Sequence, residues 1–443
     1  AGAIKIMATD SVTISGQSSR GDISLIDNRI EIKNGTPAIG DSGGIVIETA
    51  TLTLSDGTRI SASNRGEGNA GDIQITATDS VSISGTIFDE LLNRKIGCIL
   101  TFTFGIEEAG DIAINTNQFI LSDGAGVEVF TQGEGNAGSI NISTSELELN
   151  QSQINAFTDG LGNAGSINIS NQGNNSNLVK LSNQSQISTA IRQNGEATQP
   201  SNIGIKTDNL ILENSIITAS TLGKGDAGIM NIKVGENLTI IGETLIGTFS
   251  GIFSEIETTG KGNSQGINIQ SENLILREGA RISANTFGIG NAGKINVNVT
   301  DSIQLSGENS QGKVSGIFSE VEEGAIGNSE GINIESNNLI LEDGARINAN
   351  TEAKGNAGEI NLQINKLIYA RGENNLNQVS GITSEVDKRA RGNSEGINIE
   401  SKNLRLEEGA RISANTFGIG DTGKINITTT DSIKLLGENS QGR

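Results

Sequence analysis

The chain has 443 residues, 31 basic and 52 acidic, for a net charge of −21, with no His, no Trp, one Tyr and 59 Gly. That acidic balance excludes a nucleic-acid partner, which needs a basic footprint, and it argues equally against anionic membrane surfaces. The missing histidine excludes Ser-His-Asp triads and His-dependent zinc sites, and the single Cys98 excludes an internal disulfide.

The first residues, AGAIKI, lack Met and fall in mid-phrase. An upstream segment is therefore expected, and no signal peptide is visible. No apolar run is long enough to span a bilayer. From Gly2 onward a small or polar residue followed by Ile-x-Ile recurs, at Gly43, Gly71, Gly110, Gly138, Gly165, Ser201 and Gly228. The phrase GNAGSINIS stands at Gly135–Ser143 and again at Gly162–Ser170. From Gly228 the recurrence becomes regular: Gly228, Gly293, Gly358 and Gly423 are each 65 apart. Within each 65, a unit of 28 (Gln265 to Gly293) alternates with one of 37 (Gly293 to Glu330). Periods of this size signal a solenoid.

A short unit, Gly266–Ala292, reads GINIQSENLILREGARISANTFGIGNA. It holds Ile-x-Ile, then Leu-x-Leu, then Ala-x-Ile-x-Ala, each a brief period-2 run with one buried face. Turn residues separate them. Three short strands per turn predict an all-β fold: a right-handed parallel β-helix of about 14 coils, alternately short and long. At about 4.8 Å per coil the rod would be roughly 65–70 Å long. A leucine-rich repeat has a similar period but needs a helix or extended arc opposite its strand, and the arc here is Gly-, Ser- and Asn-rich. One continuous array over 1–443 is expected, as part of a longer chain, with its most regular super-repeats over 228–443.

One stretch breaks the pattern. Gly85–Gly105, GTIFDELLNRKIGCILTFTFG, replaces a polar loop with a more apolar insertion. Thr86–Ile96 reads as a protruding loop with a short helical turn, either a partner contact or a loop packed back on its coil. Cys98 aligns with Ile317 and reads as a small core residue rather than a nucleophile.

Carboxylates come in columns. Glu255, Glu320 and Glu385 are equivalent at intervals of 65, as are Glu257, Glu322 and Asp387, and Arg281, Arg346 and Arg411 form a third series. A catalytic cluster should break the repeat at one place, whereas these follow it. No catalytic or cofactor-binding residue is therefore assigned. The columns read as a solvated face with cross-coil ion pairing, and otherwise as repeated Ca²⁺ or glycan contacts. The Ca²⁺-binding Gly-Gly-x-Gly-x-Asp nonapeptide is missing. Phe253 and Phe318 are equivalent, as are Phe287 and Phe417; they read as loop or core residues rather than a sugar-stacking ladder. The Asn of GNAG recurs at Asn69, Asn136, Asn163, Asn291 and Asn356, with Asp226 and Asp421 as substitutes. A local left-handed turn would accommodate both residue types.

These GNAG–Ile-x-Ile and Asp/Glu-Gly-Ala-x-Ile phrases cover nearly the whole chain. They resemble the large cyanobacterial exoproteins related to filamentous haemagglutinin, which look like two-partner secretion substrates. The resemblance implies a right-handed β-helix, export through an outer-membrane partner, and an extracellular or cell-surface place. It also implies roles in adhesion, aggregation or surface coating. Repeats that begin and stop in mid-phrase lead us to expect end-to-end self-association into filaments. The expected function is thus a structural or adhesive surface protein. The alternatives are a polysaccharide-acting β-helix enzyme and a repetitive glycan- or Ca²⁺-binding module.

Overall fold

The computed structural model describes residues 2–16, 23–33, 36–89, 94–96, 98–173, 177–244, 249–438 and 442. Among these there is no helix; the regular structure is β, dominated by parallel strands. This is a parallel β-solenoid architecture, and it removes the leucine-rich alternative. Two compact units emerge, residues 1–207 with 222–225, and residues 208–221 with 226–443.

In the second unit, long strands such as Ile267–Arg277, Ile295–Ser306, Ile332–Glu342 and Ile360–Arg371 pair in parallel. Short strands Gly251–Phe253, Arg281–Ser283, Gly316–Phe318, Arg346–Asn348, Gly381–Thr383 and Arg411–Ser413 form a second parallel sheet. Single backbone bridges, such as Thr286 with Val321 and Ile289 with Ile326, make a third, thinner ladder. Ile267, Ile295, Ile332, Ile360 and Ile397 stack in register, as do Leu274, Ile303, Leu339, Ile368 and Leu404. All ten are at most 1% exposed, so they form the core. The 28 and 37 spacings give the same core register, because the extra residues leave the coil only at its corners.

The expected three short strands per coil needs correction. Ile-x-Ile and Leu-x-Leu mostly belong to one strand of 10 to 12 residues. It carries a register irregularity at its middle, as between Ser271 and Asn273. The Ser that looked like a turn residue points inward there. Ser336 and Ser401 hydroxyls donate to the carbonyls of Asn338 (3.1 Å) and Asn403 (3.0 Å), which satisfies them without a break in the strand. Among the described residues, three coils of the first unit keep separate strands: Ile4–Met7 with Ser11–Ile14, Ile140–Thr144 with Glu146–Asn150, and Ile167–Asn171 with Leu178–Ser182.

The first unit stacks its short strands in the register Ile26, Ile60, Ile99, Val127, Ile154 and Ile187. Ile99, not Cys98, therefore holds the ladder position. Cys98 lies one residue earlier, fully buried, with its thiol donating to the Gly85 carbonyl at 3.2 Å. Burial pushes that thiol up to about 11, so it stays protonated and inert. The insertion's described residues form an antiparallel ribbon, Ile87–Asp89 with Arg94–Ile96; residues 90–93, on which the expected helical turn falls, and residue 97 lie outside the described residues. Just after it, Phe102, Phe130 and Phe157 occupy the opposite face of their strands from Ile99, Val127 and Ile154. They stack at 4.8 and 5.0 Å between centroids and are at most 3% exposed. Arg192 lies 3.3 Å over the Phe157 ring, a cation–π contact.

Candidate functional site: corners and the outward face of the short-strand sheet

The repeated GNAG is a corner, and its Asn does not play the expected part. None of Asn69, Asn136, Asn163, Asn291 and Asn356 has a left-handed backbone. In several corners the preceding glycine takes that strain: Gly290 has φ 140°, and a Cβ there would come 1.6 Å from the Gly262 carbonyl oxygen. The Asn side chain instead reaches the next coil. Oδ1 of Asp226, Asn263, Asn291, Asn328, Asn356 and Asn393 accepts the backbone N–H of Asn263, Asn291, Asn328, Asn356, Asn393 and Asp421 in turn, at 2.8–3.0 Å. The first unit repeats this from Asp41 to Asn69 (2.8 Å) and from Asn136 to Asn163 (2.9 Å). Only an acceptor oxygen is required, which is why Asp substitutes for Asn.

The amide nitrogens add a second layer of pairing. Asn291 donates to Glu330 Oε1 (2.7 Å) and Asn356 to Glu395 Oε1 (3.4 Å). Where the corner is Asp226, the partner becomes a donor, Gln265 (2.8 Å). A further amide ladder runs along the long strands: Asn231, Asn268, Asn296, Asn333, Asn361, Asn398 and Asn426 bond one to the next at 2.8–3.1 Å.

The columns of carboxylates and arginines lie together on the outward face of the second unit's short-strand sheet. Register makes Glu255, Glu320 and Glu385 alternate with Asn285, Asn350 and Asn415. Successive glutamates are thus two coils, roughly 9.6 Å, apart along the backbone, with an Asn position between them. Among the described residues no three potential ligands converge on a metal position. Ser283 donates to Glu255 and Ser413 to Glu385, and Asn285 donates to Glu322 at 2.7 Å. Burial pushes the Glu255 carboxyl up to about 8 against the opposing Ser283 hydrogen bond, and Glu320 up to about 8 with help from Glu322 and Glu352. Burial also raises Glu257, Glu322 and Glu352. The hold that Glu255 and Glu320 keep on their protons is the reverse of what a Ca²⁺ site prepares.

Arg411 pairs with Glu385 at 3.5 Å. Arg281 stacks instead, 3.6 Å over Phe249 and 4.5 Å over Phe318, and burial lowers it to about 10. Gly316 leaves room for that packing, since a Cβ there would meet the Phe318 ring at 2.6 Å. Phe318 is buried, whereas Phe417 is 53% exposed. Loops edge this face. Glu308 bridges Val314, and Glu373 bridges Val379, each closing a small antiparallel turn. The two turns touch: Asn374 donates to the Gly312 carbonyl (3.0 Å), and Glu308 accepts the Asn375 N–H (3.3 Å).

No protein-family model, curated protein or solved structure matches this chain. The columns read from sequence are therefore brought together on one face as a packed, repeating polar network. The corner ladder, the amide ladder and the Phe102–Phe157 stack escaped the sequence reading. All three were present as residues recurring at 27, 28 or 37, the intervals that mark the coils.

Proposed function

We propose that this protein is a structural, adhesive component of an extracellular or cell-surface layer. On this reading it is a right-handed β-helix of about 14 coils, of the filamentous-haemagglutinin-like kind, exported through an outer-membrane partner. The observation that carries the reading is that polar groups spend their bonding capacity on their own equivalents in the next coil. The seven-residue amide ladder and the six-link corner ladder are the clearest cases. An enzyme of the β-helix class would set a one-off group of carboxylates and cations against this background. The clustered charges of the second unit's short-strand face, Glu255, Glu320 and Glu385 with Arg281, Arg346 and Arg411, instead follow the 65-residue rhythm.

The test pairs imaging with a binding and turnover assay. Electron micrographs of the purified chain should show elongated particles of constant width. Beads coated with the chain should attach to cell-surface or matrix polysaccharide without releasing new reducing ends. Release of reducing ends, or failure to attach to any surface in the panel, overturns the proposal.

A further inference from the structure

Several exposed apolar side chains of the second unit fall on one line. Ile289, Ile326 and Ile419 are 50%, 47% and 63% exposed. Backbone bridges place Lys261, Ile289, Ile326, Lys354, Arg391 and Ile419 on successive coils of a single ridge. All three cations are exposed, and among the described residues none of them forms an ion pair. On a chain of net charge −21, a ridge of apolar and unpaired basic side chains marks an interaction surface.

Beside the ridge runs a second strip. The bridges Ile256–Thr286, Thr286–Val321, Val321–Thr351, Thr351–Val386 and Val386–Thr416 fix its register. The residues that follow them are Glu257, Phe287, Glu322, Glu352, Asp387 and Phe417. The two strips match coil by coil. Lys261 shares its coil with Glu257, Lys354 with Glu352 and Arg391 with Asp387. Ile289 shares its coil with Phe287, and Ile419 with Phe417. Only Glu322 and Ile326 are mismatched.

We infer that this edge pairs with the same edge of a second copy of the chain, side by side and parallel, about a two-fold axis along the stacking direction. That symmetry lays the acidic strip of each copy against the ridge of the other, base to acid and aromatic to Ile, in an isologous contact. An antiparallel pairing would set like against like. The corner tips lie between the strips and meet near the axis; two of their charges, Glu323 and Arg389, are already paired at 2.7 Å within one copy. Six coils span roughly 24 Å, and with about 20 Å of width the contact buries on the order of 1,000 Å² in total, the lower limit of a specific interface. A contact of that size, built partly on exposed charge pairs, is expected to be reversible and to weaken with salt. It concerns assembly alone and does not depend on which surface the protein attaches to.

Analytical ultracentrifugation of the full chain over a concentration series tests it. A monomer–dimer equilibrium is expected. Lys354→Glu weakens it by about tenfold or more, and Glu352→Lys added to Lys354→Glu restores it. Ile326→Lys, facing Glu322 of the second copy, tightens it. These are exposed positions, and an unchanged melting curve checks that each variant is folded. A chain that stays monomeric, a dimer indifferent to Lys354→Glu, a double variant that does not recover, or open-ended oligomers in place of dimers overturns the inference.

Discussion

Asn291 and Glu330 offer a sharp test of the corner ladder. Asn291 Oδ1 accepts the Asn328 N–H at 2.9 Å, and its amide donates to Glu330 at 2.7 Å. Asn291→Ala removes both bonds at a partly wet corner, so the expected loss is about 1–2 kcal/mol. Asn291→Asp keeps the acceptor but faces a second carboxylate. It loses one hydrogen bond and adds about 1 kcal/mol of repulsion at near-aqueous dielectric, for roughly 2 kcal/mol in all. Glu330→Gln alone weakens a charge-assisted bond by about 0.5 kcal/mol. The double variant recreates the Asp226–Gln265 pair, which bonds at 2.8 Å, and should return to within about 0.5 kcal/mol of the parent, a coupling of about 2 kcal/mol. Because long repeat arrays unfold less cooperatively, the readout is hydrogen exchange at the Asn328 amide alongside denaturant melts. The Asn291→Asp penalty should also shrink in high salt. A double variant no better than Asn291→Asp, or an Asn291→Ala without effect on Asn328 exchange, refutes the acceptor argument.

Two further outcomes follow from the same geometry. Gly290→Ala must displace backbone, since its Cβ would sit 1.6 Å from the Gly262 oxygen; a loss of about 3 kcal/mol or more is expected in thermal or urea melts, whereas alanine at the corner tip Gly324, where φ is 85° but nothing lies within 4 Å, should cost only the left-handed strain of about 1–2 kcal/mol. Glu255 and Glu320 titrate from 4.5 unfolded to about 8 folded. The folded chain then holds protons that the unfolded chain has lost, so the contribution of these two groups to stability is full below about pH 4.5 and falls as pH rises toward 8. Melting temperatures across that range should decline, and Glu255→Gln with Glu320→Gln should flatten the decline.

The core was open to sequence reading because its signal is periodic and one-dimensional. Ile267, Ile295 and Ile332 announce themselves through spacing, and the stack follows from it. Strand continuity was not legible at Ser271 or Ser336, because a hydroxyl that bends a strand from inside and one that ends it look alike in sequence. Asn291 was visible as a repeated residue, but its bond partner lies 37 residues away at Asn328, and no local rule points there. The Asp226–Gln265 exchange carried that information as covariation between repeats. Cys98 was placed one position off because the insertion before it removes the usual phrase that fixes register. The gathering of Glu255, Arg281 and Glu320 on one face was implied by their intervals, whereas their burial and stacking depend on Phe249, Phe318 and Gly316 together.

The turns at Glu308–Val314 and Glu373–Val379 touch across two coils, while every sheet contact links one coil to the next. Two rhythms thus run through the second unit, and they coincide only every 65 residues. A genetic duplication or loss of one whole 65-residue block would rejoin both rhythms at the seam, whereas a change of 28 or 37 alone would rejoin the core but leave a turn without its neighbour. The length of such an array is then heritable in fixed steps, and the turns act as its counting device.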